Sequence, residues 1–136
     1  PSYLLKILGI KNFSKKLNHL LRVAENKTSN NSGLQINLAL NYGSKTEILE
    51  GLKKLTKSKK KITAKNLTKY LQTYNIPDPE LLIRTGDTKR LSNFLLWQLA
   101  YSEIFFIKKL WPDFNEKDYF KIIEEYKYVK RNFGNI

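Results

Sequence analysis

The chain has 136 residues, 41% of them hydrophobic, enough for the packed core of a domain of ordinary size. Cysteine is absent, which excludes a disulfide framework and any thiolate metal site. The formal net charge of +13 favours anionic partners, whether nucleic acid, anionic lipid or diphosphates. The opening Pro1-Ser2-Tyr3-Leu4-Leu5-Lys6 has no charged leader before a long apolar run, and no apolar stretch nears the roughly 20 residues of a spanning helix. The expectation is a soluble protein, or one that lies at most on a membrane surface.

Residues 4–9 are a short apolar run ending in Gly9, a candidate buried strand. Ser14 suits a helix N-cap, and Leu17, Leu20, Leu21 and Ala24 follow at helical spacing, giving an amphipathic helix to about Asn26. His19, the one histidine, falls off that apolar face and reads as a surface residue. After a polar turn at 28–33, Leu34, Ile36, Leu38 and Leu40 alternate with other residues, as in a strand. Asn41-Tyr42-Gly43 turns the chain. Ser44 and Glu47 have capping-box spacing and open a helix with Ile48, Leu49, Leu52 and Leu55 inward. Lys53, Lys54, Lys57, Lys59, Lys60 and Lys61 crowd its end, with Lys65 and Lys69 beyond, as an anion-binding patch or a solvated helix end.

Thr63 caps a third helix with Leu67, Tyr70, Leu71 and Tyr74 on one side, stopped by Pro77 and Pro79. Leu81-Leu82-Ile83 reads as a short buried strand, 85–90 as a loop, and Ser92 as the cap of a helix to about Leu99. Residues 103–107 are β-branched and aromatic, hence a further strand. Asp113 or Asn115 begins the last helix, with Tyr119, Ile122, Ile123, Tyr126 and Val129 on one side and Gly134 at its end. The alternation of strands and helices predicts an α/β fold with an open, mostly parallel sheet flanked by helices.

The stretch 81–103 concentrates the chemistry. Arg84 stands at the carboxyl end of a predicted parallel strand, where open α/β sheets bind ligands. Gly86 permits a tight turn, Arg90 follows, and Ser92 is expected at a helix N-terminus, an anion-binding position. Two guanidinium forks and a hydroxyl make a diphosphate cradle. The competing reading pairs Arg84 and Arg90 with Asp87 or Glu80. Glu103 offers one carboxylate to magnesium, which takes six oxygens, some from carboxylates and some from phosphates, or else it is an ordinary strand-start carboxylate.

The stretch IRTGDTKRLSNFLLWQLAYSEIFF followed by WPDF, with INLALNYG earlier and Arg131-Asn132-Phe133-Gly134 at the end, resembles the cis-prenyltransferase family of the undecaprenyl diphosphate synthase type. The match runs from about Ile7 to Gly134. The resemblance implies condensation of isopentenyl diphosphate onto an allylic diphosphate with Mg2+, giving a long polyprenyl diphosphate. It implies that Arg84, Arg90 and Ser92 bind isopentenyl diphosphate, that Glu103 helps hold the metal, and that the protein is a homodimer. The protein is expected in the cytoplasm, either free or in peripheral contact with a membrane, and without a nucleic acid partner. Trp97, Trp111 and Phe114 follow the family pattern and are expected to pack in the core. Leu38 and Leu40 are expected in the core or along a product tunnel.

The chain departs from the family in three places. Gly86-Asp87-Thr88 shifts a carboxylate by one position, Ser44-Lys45 replaces Gly-Arg, and Asn132 stands where an arginine is expected. The family's Asp-Gly-Asn-Gly-Arg motif is absent, as is methionine. Residues 1–136 are therefore expected to be the C-terminal portion of one such domain, without its N-terminal part and inactive alone. A non-catalytic subunit and a basic nucleic-acid-binding module are the alternatives.

Overall fold

The computed structural model describes residues 2–130 and divides the chain into two compact units, Pro1–Ile76 and Pro77–Ile136. In the first, β1 (Leu4–Leu8), α1 (Lys15–Thr28), β2 (Gln35–Ala39), α2 (Ser44–Lys57) and α3 (Ala64–Thr68) follow in order. β1 and β2 are parallel, in register from Leu4 against Gln35 to Leu8 against Ala39. Parallel partners need a long crossover, and α1 supplies it. Ser14 caps α1 as expected, its side chain accepting from the Leu17 N–H at 3.2 Å.

α1 also closes the outer edge of β1. The Leu5 N–H donates to Thr28 Oγ1 at 3.0 Å and the Ile7 N–H donates to Glu25 Oε1 at 2.9 Å. These are the alternate amides, pointing away from β2, which would otherwise invite another strand. Burial alone would raise the pKa of Glu25. The Lys11 ammonium at 2.7 Å and the Ile7 N–H outweigh it and hold the carboxyl below the ordinary glutamate range.

The core of this unit is Ile7, Leu8, Leu55, Leu67 and Leu71. Thr63 caps α3 through the Asn66 N–H, but the helix is five residues long rather than reaching Tyr74, and continues as turns closed from Tyr70 to Leu67 and from Tyr74 to Leu71. Asn75, at φ 67°, ends that run. Leu17, Leu20, Leu34, Ile36 and Leu38 are exposed, so the expected burial of the β2 face and of part of the α1 stripe is not met among the described residues. Their periodicity set the elements correctly, while burial depends on what covers them. His19 is exposed, as expected.

The second unit holds β3 (Leu81–Arg84) and β4 (Glu103–Phe106), also parallel, from Leu81 against Glu103 to Arg84 against Phe106. A 3-10 turn, Trp111–Asp113, and α4 (Glu116–Lys127) follow. Asn115 and Asp118 form a reciprocal capping box, and Ile122 and Leu99 are buried. Lys109, at 2.8 Å, and the Asn115 N–H lower the Asp118 pKa. Trp111 stacks on Phe114 with centroids 6.2 Å apart, yet it is 74% exposed and so is not the core residue expected. The end of the last predicted helix at Gly134 lies outside the described residues.

The expected α/β fold with parallel strands is present, with its strands hydrogen-bonded as two parallel pairs. One expected helix is missing. Between β3 and β4 the segment begun by Ser92 forms turns, because Ser92 (φ 49°), Asn93 (φ 63°) and Leu95 (φ 44°) are left-handed and break a right-handed helix at its first residues.

Candidate functional site

β3 delivers Arg84 to its carboxyl end, where the chain leaves the ladder. The Arg84 carbonyl accepts from the Ile107 N–H at 2.7 Å, the Gly86 N–H donates to Lys109 O at 2.8 Å, and the Asp87 N–H donates to Ile107 O at 3.1 Å. The turn after β3 is thus fastened to the segment after β4. Gly86 at φ +91° and Asp87 at φ 51° make the bend, and nothing lies within 4 Å of the position a Gly86 Cβ would take. Glycine is required there for its backbone conformation, and the space beside it is open.

Arg84 Nε is buried with no hydrogen-bond partner, and neither Arg84 nor Arg90 forms an ion pair among the described residues. The pairing with Asp87 or Glu80 considered from sequence is therefore not made. A buried donor of a charged group without a partner is costly and calls for an explanation. Arg90 and Ser92 are exposed on the connection that starts from this strand end. With no helix beginning at Ser92, the helix dipole cannot contribute to anion binding there, and its hydroxyl is what remains.

Glu103 is partly buried at the amino end of β4, its N–H donating to Glu80 O at 3.0 Å. The register puts Glu103 beside Leu81 and Arg84 beside Phe106, so the two residues lie at opposite ends of the ladder. Three strand steps separate those ends, roughly 10 Å along the strand. Among the described residues no three His, Cys, Asp or Glu side chains gather to hold a metal ion. A single carboxylate does not match the six-oxygen demand of magnesium, so these residues do not form a magnesium site on their own. A groove of about 390 Å³ between the end of β4 and α4 is lined by residues such as Phe105, Lys108 and Lys121, and by none of the four expected site residues.

Sequence reasoning missed a second polar cluster, at the carboxyl ends of β1 and β2. Glu47 is only 3% exposed. Its carboxylate accepts from the Tyr42 hydroxyl at 2.5 Å and from the Gln72 N–H at 2.7 Å, while Gln72 Oε1 accepts from the Gly9 N–H at 2.6 Å. The expected capping box does not form: Gly43 is the N-cap, Ser44 the first helical residue, and Glu47 is engaged in tertiary contacts. This network joins the turn after each strand to the segment after α3. Gly9 is obligatory in it, since a Cβ there would lie 2.0 Å from Leu40 O.

Fold and register define an α/β protein built on parallel strand pairs. A family profile described as putative undecaprenyl diphosphate synthase matches residues 3–134, and the chain belongs to that family. It is 45% identical over 127 residues to an isoprenyl transferase of Fusobacterium nucleatum, covering 92% of this chain and 54% of that protein. It is 41% identical over 140 residues to a Buchnera aphidicola ditrans,polycis-undecaprenyl-diphosphate synthase specific for (2E,6E)-farnesyl diphosphate, covering 97% and 56%. The chain therefore spans about half the length of these curated relatives. A probable undecaprenyl diphosphate synthase from Campylobacter jejuni matches with TM-score 0.90 and 34% identity, over 98% of this chain and 64% of that one. Lavandulyl diphosphate synthase from Lavandula x intermedia, solved with dimethylallyl diphosphate, matches with TM-score 0.90 and 33% identity, over 98% and 61%.

Proposed function

We propose that this chain supplies the isopentenyl diphosphate site of a cis-prenyltransferase that lengthens an allylic diphosphate into a polyprenyl diphosphate. The observation that carries this is the buried, unpartnered Nε of Arg84, the last residue of β3, two residues before Gly86. Arg84 and Arg90 donate to diphosphate oxygens, and the Ser92 hydroxyl donates a further hydrogen bond. Their contribution is orientation and charge stabilisation: the diphosphate is held so that the isopentenyl double bond faces the allylic carbon. Glu103 would offer one carboxylate to Mg2+, which when bound would neutralise diphosphate charge. The family resemblance supports a homodimer at work in the cytoplasm with peripheral membrane contact.

Calorimetric titration of the chain with isopentenyl diphosphate tests the site. Arg84→Ala is expected to weaken binding by a factor of about 10 to 100, since a charge-assisted hydrogen bond contributes about 1.5–3 kcal/mol. Equal binding by wild type and variant would refute the assignment. With magnesium, farnesyl diphosphate and labelled isopentenyl diphosphate, residues 1–136 alone are expected to yield no long-chain product, because Glu103 stands without a clustered metal-ligand partner among the described residues. Extraction and chromatography of labelled lipid checks this, and abundant product would show that the catalytic groups have been misplaced.

A further inference from the structure

We propose that the outer face of α2 and the loop leading to α3 dock the protein on an anionic lipid bilayer. The inward face of α2 is fixed by Glu47, Gly51 and Leu55, all buried. Leu49, Lys53 and Thr56 follow on the opposite face at i, i+4 and i+7. Leu49 is 58% exposed and Ile62, in the following loop, is 64% exposed. Leu49, Leu52, Lys53, Thr56 and Lys57 line a shallow, mostly apolar groove of about 350 Å³. Lys54 in the same helix, and Lys59, Lys60 and Lys61 in the loop that follows it, are all exposed.

The charge is one-sided. No Asp or Glu occurs between Glu50 and Asp78, and none of the eight lysines from Lys53 to Lys69 forms an ion pair among the described residues. The loop backbone is held in place: the Ser58 N–H donates to Lys54 O at 3.1 Å, the Lys59 N–H donates to Thr56 O at 3.2 Å, and Asn66 Nδ2 donates to Lys61 O at 2.8 Å. The loop lysines therefore stand on a hydrogen-bonded turn that continues directly from the helix carrying the apolar groove.

That combination selects the partner. A membrane surface offers lipid phosphates to the lysines and an acyl boundary to Leu49 and Ile62. Nucleic acid is read through stacking aromatics and arginine forks, and the segment 53–69 contains neither an aromatic residue nor an arginine. Charge complementarity with an anionic bilayer is thus joined to a place for insertion. The surface gives the peripheral contact proposed above a location and rests on that contact. Its assay needs no catalysis, so failed vesicle binding leaves the Arg84 site untouched, and failed diphosphate binding leaves this surface untouched.

The test is co-sedimentation of the 136-residue chain with vesicles of phosphatidylcholine alone or with about a third phosphatidylglycerol. Binding is expected only to the anionic vesicles and should fall several-fold as salt rises from about 0.05 to about 0.5 M. Replacing Lys53, Lys57, Lys60 and Lys61 together by Gln is expected to lower the partition coefficient at least about tenfold. The pair Leu49→Ser and Ile62→Ser should lower it about fivefold with every lysine present, while binding to single-stranded RNA stays unchanged. Circular dichroism confirms that each variant, altered only at exposed positions, keeps its fold. Equal binding to neutral vesicles, or no binding to anionic ones at low salt, would overturn the proposal. So would an unaffected serine pair alongside tighter binding to RNA, which would assign the patch to nucleic acid. A serine pair that only dissolved a dimer, seen by size-exclusion chromatography, would assign it to a second copy of the chain.

Discussion

The two parallel strand pairs solve the same topological problem in different ways. β1 reaches β2 through α1, a capped helix of 14 residues whose Glu25 and Thr28 also close the strand edge. β3 reaches β4 through residues 85–102, which contain no helix and where Gly86, Asp87, Ser92, Asn93 and Leu95 all have positive φ. Left-handed non-glycine residues cost of order 1 kcal/mol or more each, and they persist only where surrounding structure holds them. The regular crossover is a scaffold. The irregular one carries Arg90 and Ser92 and starts from Arg84, whose Nε is buried, so its conformational cost is concentrated where the anion site is proposed.

The largest expected effect tests the scaffold side. Leu55 is fully buried, and Leu55→Ala should cost about 2–5 kcal/mol in urea unfolding through lost apolar contact and a residual cavity. A cost below about 1 kcal/mol would mean that α2 does not anchor its unit.

Gly86→Ala sharpens the contrast from the site side. Space is open, so the penalty is conformational: about 1 kcal/mol of stability, with weaker isopentenyl diphosphate binding by calorimetry as the turn after Arg84 relaxes. Unchanged stability and affinity would mean the bend is not required.

The smallest effect is expected at Glu25. Its folded pKa is depressed, so it contributes stability that is present above the unfolded value, about 4.3, and is lost as pH falls through the lower folded value. Glu25→Gln should therefore flatten the loss of stability below about pH 4.3, read from melting curves across acidic buffers, and lower stability slightly at neutral pH. An acid slope equal to that of the wild type would remove Glu25 from the account of the β1 edge.

Much of this arrangement was legible from sequence where the signal is local. Ser14, Thr63 and Asn115 cap helices because a short polar side chain can reach an amide two or three residues ahead whatever the rest of the protein does. The strands at Leu4 and Leu81, each parallel to its own partner, followed from apolar runs and element order. Ser44 and Glu47 carried the same kind of local signal and misled, because Tyr42 and Gln72 engage the carboxylate from outside the helix. Ser92 misled because no residue type near it, apart from Asn93, announces a left-handed backbone. Arg84 was placed correctly at a strand end, but the burial of its Nε and the distance of Glu103 along the ladder are properties of register.

The exposed Trp111, stacked on Phe114, has one consequence for experiment. The chain's two tryptophans, Trp97 and Trp111, both fall in Pro77–Ile136. Emission excited selectively at tryptophan therefore watches only the unit that holds the proposed diphosphate site, whereas far-ultraviolet circular dichroism is dominated by α1 and α2 of the other. Following both signals through one denaturant titration gives each unit its own optical channel, without a label or an added chromophore, and a gap between the two midpoints would measure how separately the units melt.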